Sequence, residues 1–190
     1  MKRPPLVIGL DNSNSAVTHL PSMRKLVLAL GLYYDVTCYT LNHLGMQRVF
    51  IDRELSNGGG GFFGGGDKPP MLKRPGGGRF VYVTDSWAEL VRDQDVIDQW
   101  NAFADRQPAA IVVIDASIQG NNLREGAGRL GVLRDTAVFD ATEAEPMETV
   151  STINAWVEGD RESLDPAQVL FCPPLPPAVP VPAPKVDVDF

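Results

Sequence analysis

Two stretches of the chain have the residue types and spacing to hold a metal ion. The first is Asp11-Asn12-Ser13-Asn14-Ser15, a carboxylate followed by hydroxyls at alternate positions. The second is Thr84-Asp85-Ser86, more than 70 residues later. Carboxylate and hydroxyl oxygens are hard ligands, suited to Mg2+, Mn2+ or Ca2+, with water completing the shell. An ion held this way keeps an open position for a carboxylate from a partner. The competing reading is structural: Asp, Asn and Ser crowd turns and helix starts. On that reading Asp11 and Ser15 cap the first helix and Asp85 caps a later one.

The two stretches matter together only if the fold joins them. Each follows an apolar run: Leu6-Val7-Ile8 and Leu10 around Gly9 before the first, and Phe80 to Val83 before the second. Both runs read as buried strands. Met23, Leu26, Val27, Leu30 and Tyr34 recur at helical spacing and predict a helix over 21–33, with Pro21 in its first turn and Gly31 near its end. "DVTCYTLN" (35–42) and "QRVFIDREL" (47–55) predict an antiparallel hairpin. "RFVYVTD" (79–85) is a strand and 93–106 a helix. "AAIVVIDAS" (109–117) is the clearest central strand, 118–135 is irregular with a helical turn near 122–125, and "TAVFDA" (136–141) is a short strand. Met147, Val150, Ile153 and Val157 mark a last helix that begins near Pro146.

Alternation of this kind predicts an α/β fold: a three-layer Rossmann-like sandwich on a mostly parallel sheet with one antiparallel edge strand. In open sheets of this class, ligands sit outside the carboxyl ends of the strands. Asp11, Ser13, Ser15 and Asp85 then converge if the first and fourth strands are neighbours. The fifth strand also ends in polar residues, Asp115-Ala116-Ser117.

The domain is expected to span 1–160, with a docked extension over 161–172. Residues 173–190 contain seven prolines and read as an extended, disordered tail. Between the hairpin and the fourth strand lies "SNGGGGFFGGGDKPPMLKRPGGG" (56–78), with ten glycines and three prolines in 23 residues. A long aperiodic insert in a compact domain is usually a functional loop or a linker. Phe62-Phe63 between two glycine runs, with Asp67 after them, are its candidates for contact with a partner.

At this point the sequence resembles a family. Asp11-x-Ser13-x-Ser15 after a first strand, with Thr84-Asp85 ending the fourth, is similar to the metal-ion-dependent adhesion site of von Willebrand factor A domains. The likeness covers roughly residues 5–158. "FVYVTDSWAE", "AAIVVIDAS" and "GVLRDTAVFDA" more narrowly resemble the A domain of Ro-type ribonucleoproteins. The resemblance implies a vWA-like fold, Asp11, Ser13, Ser15 and Asp85 as metal ligands, and Mg2+ (or Mn2+ or Ca2+) as the ion. Two departures stand out. The family's loop threonine has no counterpart, because 56–78 contains no Thr, and Asp67 is the one candidate substitute. The helical-repeat ring that binds RNA in Ro proteins is also missing, so RNA binding does not carry over.

Composition narrows the functions further. Net charge is −7, with nine Lys/Arg against five Asp/Glu in 1–78 and eight against nineteen in 79–190. An acidic second half disfavours a broad nucleic-acid footprint. No apolar run reaches the roughly 20 residues of a membrane span. Cys38 and Cys172 lack metal-type spacing and read as reduced thiols, so a cytoplasmic protein is expected. His19 and His43 read as solvated loop residues without partners for catalysis or zinc. A phosphohydrolase of the aspartate type would place a second Asp where Ser13 stands, and no Walker-type loop is present. The expected function is therefore a non-catalytic protein-binding module whose ion bridges to an acidic group on a partner. The alternative is an assembly protein that keeps the fold without the ion.

Overall fold

A computed structural model describes residues 2–13, 15–42, 45–50, 78–85, 91, 94–115 and 129–173. Its centre is a seven-stranded sheet. In chain order the strands are β1 (Pro5–Asp11), β2 (Asp35–Asn42), β3 (Gly45–Val49), β4 (Arg79–Thr84), β5 (Ala109–Val113), β6 (Thr136–Asp140) and β7 (Val169–Phe171). Across the sheet the order is β3-β2-β1-β4-β5-β6-β7. β2, β1, β4, β5 and β6 run parallel, and β3 pairs antiparallel with β2 as the hairpin pattern predicts. β7 adds a second antiparallel strand at the opposite edge, against β6. It comes from the expected docked extension, where a three-residue apolar run is too short to announce a strand.

The central strands read as continuous apolar runs because both faces are covered. Helices α1 (Leu20–Leu30) and α3 (Pro146–Glu158) pack on one face, over Leu6, Ile8, Leu10, Val81, Val83 and Phe139. Helix α2 (Gln94–Ala104) packs on the other with Trp100 and Phe103, over Val7, Phe80, Tyr82 and Ile111. This is the three-layer sandwich expected from the alternation. Trp100 is fully buried, and its indole N–H donates to the Thr136 hydroxyl at 2.8 Å, so α2 is pinned to the start of β6.

Helix ends follow local chemistry. Pro146 stands in the first turn of α3, Glu145 and Glu148 form a capping box, and Gly159 closes the helix at φ 78°, the left-handed region that favours glycine. α1 starts differently. A 3-10 turn over Ala16–His19 leads into it, and its N-cap His19 makes no side-chain capping bond. Gly9, two residues before Asp11, is where Phe80 and Leu41 close over β1. A Cβ there would lie 2.7 Å from Phe80 Cζ and 2.6 Å from Leu41 Cδ1. The end of β1 is thereby packed from both sides just before it reaches the polar residues. The helical turn expected near 122–125, the end of the second hairpin strand, and the 173–190 tail beyond Pro173 lie outside the described residues.

Candidate metal site at the carboxyl ends of β1 and β4

β1 and β4 are parallel neighbours, with Leu10 opposite Val83. Asp11 and Thr84-Asp85 therefore leave the sheet side by side. All three are buried; Thr84 and Asp85 are fully enclosed.

Each oxygen of Asp11 accepts one hydrogen bond. Oδ1 takes the backbone N–H of Ser13 at 2.9 Å, and Oδ2 takes the Thr84 hydroxyl at 2.6 Å. The first bond folds the chain back on itself, and the second ties the end of β1 to the end of β4. Ser13 Oγ lies 3.1 Å from Ser15 Oγ and accepts the N–H of Ala16 at 3.4 Å. The capping reading is thus corrected. Ser13 serves the 3-10 turn, while Asp11 and Ser15 do not cap α1. The turn intervenes because Asp11 and Ser13 both accept backbone N–H groups of the turn before the helix begins.

Asp85 differs from Asp11. Both of its oxygens are buried and neither has a hydrogen-bond partner, so it caps no helix. An isolated buried carboxylate is costly, and such groups are normally paired or coordinated. Asn12 Oδ1, on the adjoining turn, is likewise buried without a partner. Burial pushes the Asp11 carboxyl above its ordinary 3.8; the Thr84 and Ser13 hydrogen bonds pull it back, and the nearby Asp85 charge pushes it up again. The two carboxylates are close enough to repel, which a cation between them would reverse.

The residue types at these two strand ends are those that bind a small divalent ion. Magnesium sits about 2.1 Å from its oxygens in an octahedron, so adjacent corners are about 3.0 Å apart. The Ser13 and Ser15 hydroxyls stand 3.1 Å apart. Asp85 offers two unused oxygens, Asp11 keeps spare lone pairs, and exposed Ser15 places one hydroxyl at the rim. Among the described residues no group of three or more His, Cys, Asp or Glu is placed to hold a metal. An ion here therefore depends on two carboxylates supplemented by hydroxyls, a set suited to Mg2+ rather than zinc.

His19 is not a solvated loop residue. Its Nε2 lies 3.2 Å from Asp115 Oδ2 at the end of β5, and both side chains are mostly covered. The Asp115 strand end is visible in the sequence, but its pairing with a residue 96 positions earlier follows from the sheet order. Thr84 and Asn12 also escape a reading that looks for ligands alone. Thr84 is legible afterwards as part of Thr-Asp; Asn12 carries no pattern of its own. Phe62, Phe63, Asp67 and His43 lie outside the described residues.

No protein-family model matches the chain, and no curated protein matches it. The fold and site together define an α/β sandwich with paired, buried carboxylates at the carboxyl ends of two adjacent strands. No helix among the described residues is long and apolar enough to cross a membrane.

Proposed function

We propose that this chain is a non-catalytic, A-domain-like protein-binding module. In this reading a divalent cation, Mg2+ first and Mn2+ or Ca2+ next, binds between Asp11 and Asp85 with the Ser13 and Ser15 hydroxyls. The ion leaves one position for an acidic side chain of a partner protein. Asp85 is the direct ligand, because neither of its oxygens has another partner. Asp11 completes the charge and holds the turn, because its oxygens already accept bonds from Thr84 and Ser13. The ion supplies the positive charge that lets two enclosed carboxylates and a third, incoming one share a site. The buried, unpartnered Asp85 carboxylate carries the reading.

Isothermal titration with MgCl2 and MnCl2 tests it on wild type, Asp11→Ala and Asp85→Asn. Saturable binding is expected in wild type and loss is expected in both variants; equal heats in all three would sink it. A short acidic peptide should then bind in Mg2+ and be released by EDTA. The second reading, an assembly module without the ion, is favoured by Asp11, whose carboxylate is satisfied by protein groups alone. Cys38 and Cys172 are free thiols, which supports a cytoplasmic, reducing setting in this reading.

A further inference from the structure

The sheet has an edge long enough to take another strand. β3 (Gly45–Val49) is outermost beyond β2, and no strand lies outside it among the described residues. β7, at the other edge, is three residues long. An edge strand presents unpaired backbone N–H and C=O groups, a template for a further strand. Beside β3 opens an apolar groove of about 410 Å³, lined by Leu28 and Leu32 around the end of α1 and by Val36, Cys38, Val49 and Phe50 of the hairpin. Leu28 is 53% exposed, Leu32 64% and Phe50 58%. Exposed apolar residues are ordinary one at a time, but three around one groove at an open sheet edge mark a contact surface.

The two faces of β3 differ. Val49 lies opposite Cys38 and packs with it on the α1 side. Arg48 lies opposite Tyr39, which packs on the α2 side. Alternation therefore gives an incoming strand apolar neighbours on one face and a guanidinium on the other. Arg48 is exposed; its guanidinium stands 5.9 Å from the Phe50 ring and forms no ion pair with another described residue.

The chain itself carries the matching pattern. Val186-Asp187-Val188-Asp189-Phe190 alternates apolar and acidic residues. As a strand it puts Val186, Val188 and Phe190 on one side and Asp187 and Asp189 on the other. A second copy's β3 would instead bring like charge to Arg48. The geometry also allows the reach. β7 runs antiparallel to β6, so the chain leaves Pro173 at the amino end of the parallel strands. From there to the outside of β3 is seven strand spacings, about 34 Å. The thirteen steps from Pro173 to Val186 include six further prolines and cover about 40 Å as polyproline II. A segment arriving at the amino end runs parallel to β2 and antiparallel to β3.

We propose that residues 186–190 add to the outer edge of β3 of their own chain as an antiparallel strand. Val186, Val188 and Phe190 face the Leu28–Leu32 groove, and Asp187 and Asp189 lie beside Arg48. The docking does not depend on an ion at Asp85.

The test compares the full chain with four variants by amide hydrogen exchange and by the methyl NMR signals of Leu28 and Leu32. The variants are a chain ending at Lys185, Arg48→Glu, Asp187→Lys/Asp189→Lys, and the last two combined. Removing 186–190 should speed exchange at Met46–Val49 on the order of tenfold and move both methyl signals, with the β1 and β4 amides unchanged. Arg48→Glu and Asp187→Lys/Asp189→Lys should each speed exchange about fivefold, and their combination should restore the slow rate. Sedimentation at two concentrations should find the protected form monomeric at both. Equal exchange in the full and shortened chains, or no recovery in the combined variant, would overturn the proposal. Protection that disappears on dilution together with a dimer would give the edge to a second copy and overturn it as well.

Discussion

The two groups of carboxylates at the carboxyl end of the sheet differ in solvent, and that difference sets what each can do. Asp11 and Asp85 are enclosed where two central strands finish, and they act on each other through a medium that screens poorly. Glu143, Glu148 and Asp165 are exposed at the β6–β7 edge, where water offsets much of their repulsion. The same residue types therefore give a tense, small site in one place and a broad acceptor surface in the other. In the proposed reading a compact, high-charge ion balances the enclosed pair. The open group keeps its charge in water and needs no counter-ion of its own.

This comparison breaks or sharpens under substitution. The largest effect is expected at Asp85. Asp85→Asn should abolish Mg2+-dependent stabilisation, and in EDTA it should raise stability by about 1–3 kcal/mol, because a buried unpaired charge is removed. Thermal unfolding with and without Mg2+ measures both. An EDTA-treated variant less stable than wild type would mean that Asp85 is satisfied in the metal-free protein.

Next comes Thr84→Val. It removes the buried hydroxyl that donates to Asp11 Oδ2 at 2.6 Å and should cost about 1–2 kcal/mol in urea unfolding. Titration of Asp11 should produce a smaller effect. Its folded carboxyl lies above 3.8, so its contribution to stability is fully present below the unfolded value and is lost as pH rises through the raised folded value. In EDTA, the wild type should therefore lose stability across that interval relative to Asp11→Asn. Unfolding free energy measured against pH shows whether the two curves diverge there. The smallest change is expected at the open group: Glu143→Gln and Asp165→Asn should each stay within about 0.5 kcal/mol of wild type. A larger loss there would mean that the open carboxylates hold up the fold as the enclosed pair does.

Much of the fold was legible because apolar periodicity records which face of each element is buried. Leu6, Ile8 and Leu10 against Val7 mark a strand covered on both sides, and Met23, Leu26, Val27 and Leu30 mark the inward stripe of α1. β7 was not legible, since Val169–Phe171 is too short to carry a pattern and becomes a strand only because β6 offers an open edge. In the site, Asp11-x-Ser13-x-Ser15 and Thr84-Asp85 announce oxygen ligands by type and spacing. Their local roles did not follow, because a turn residue and a ligand share the same side chains.

The sequence by itself determined an α/β sandwich, two oxygen-rich strand ends and an acidic second half, all consequences of residue type and short-range order. Only the tertiary structure decided that β1 lies against β4, that Thr84 rather than solvent satisfies Asp11, and that Asp85 is left enclosed and unpaired. It also brought His19 to Asp115. Side-chain chemistry is fixed residue by residue. Hydrogen bonding and burial depend on which distant segments the sheet sets side by side.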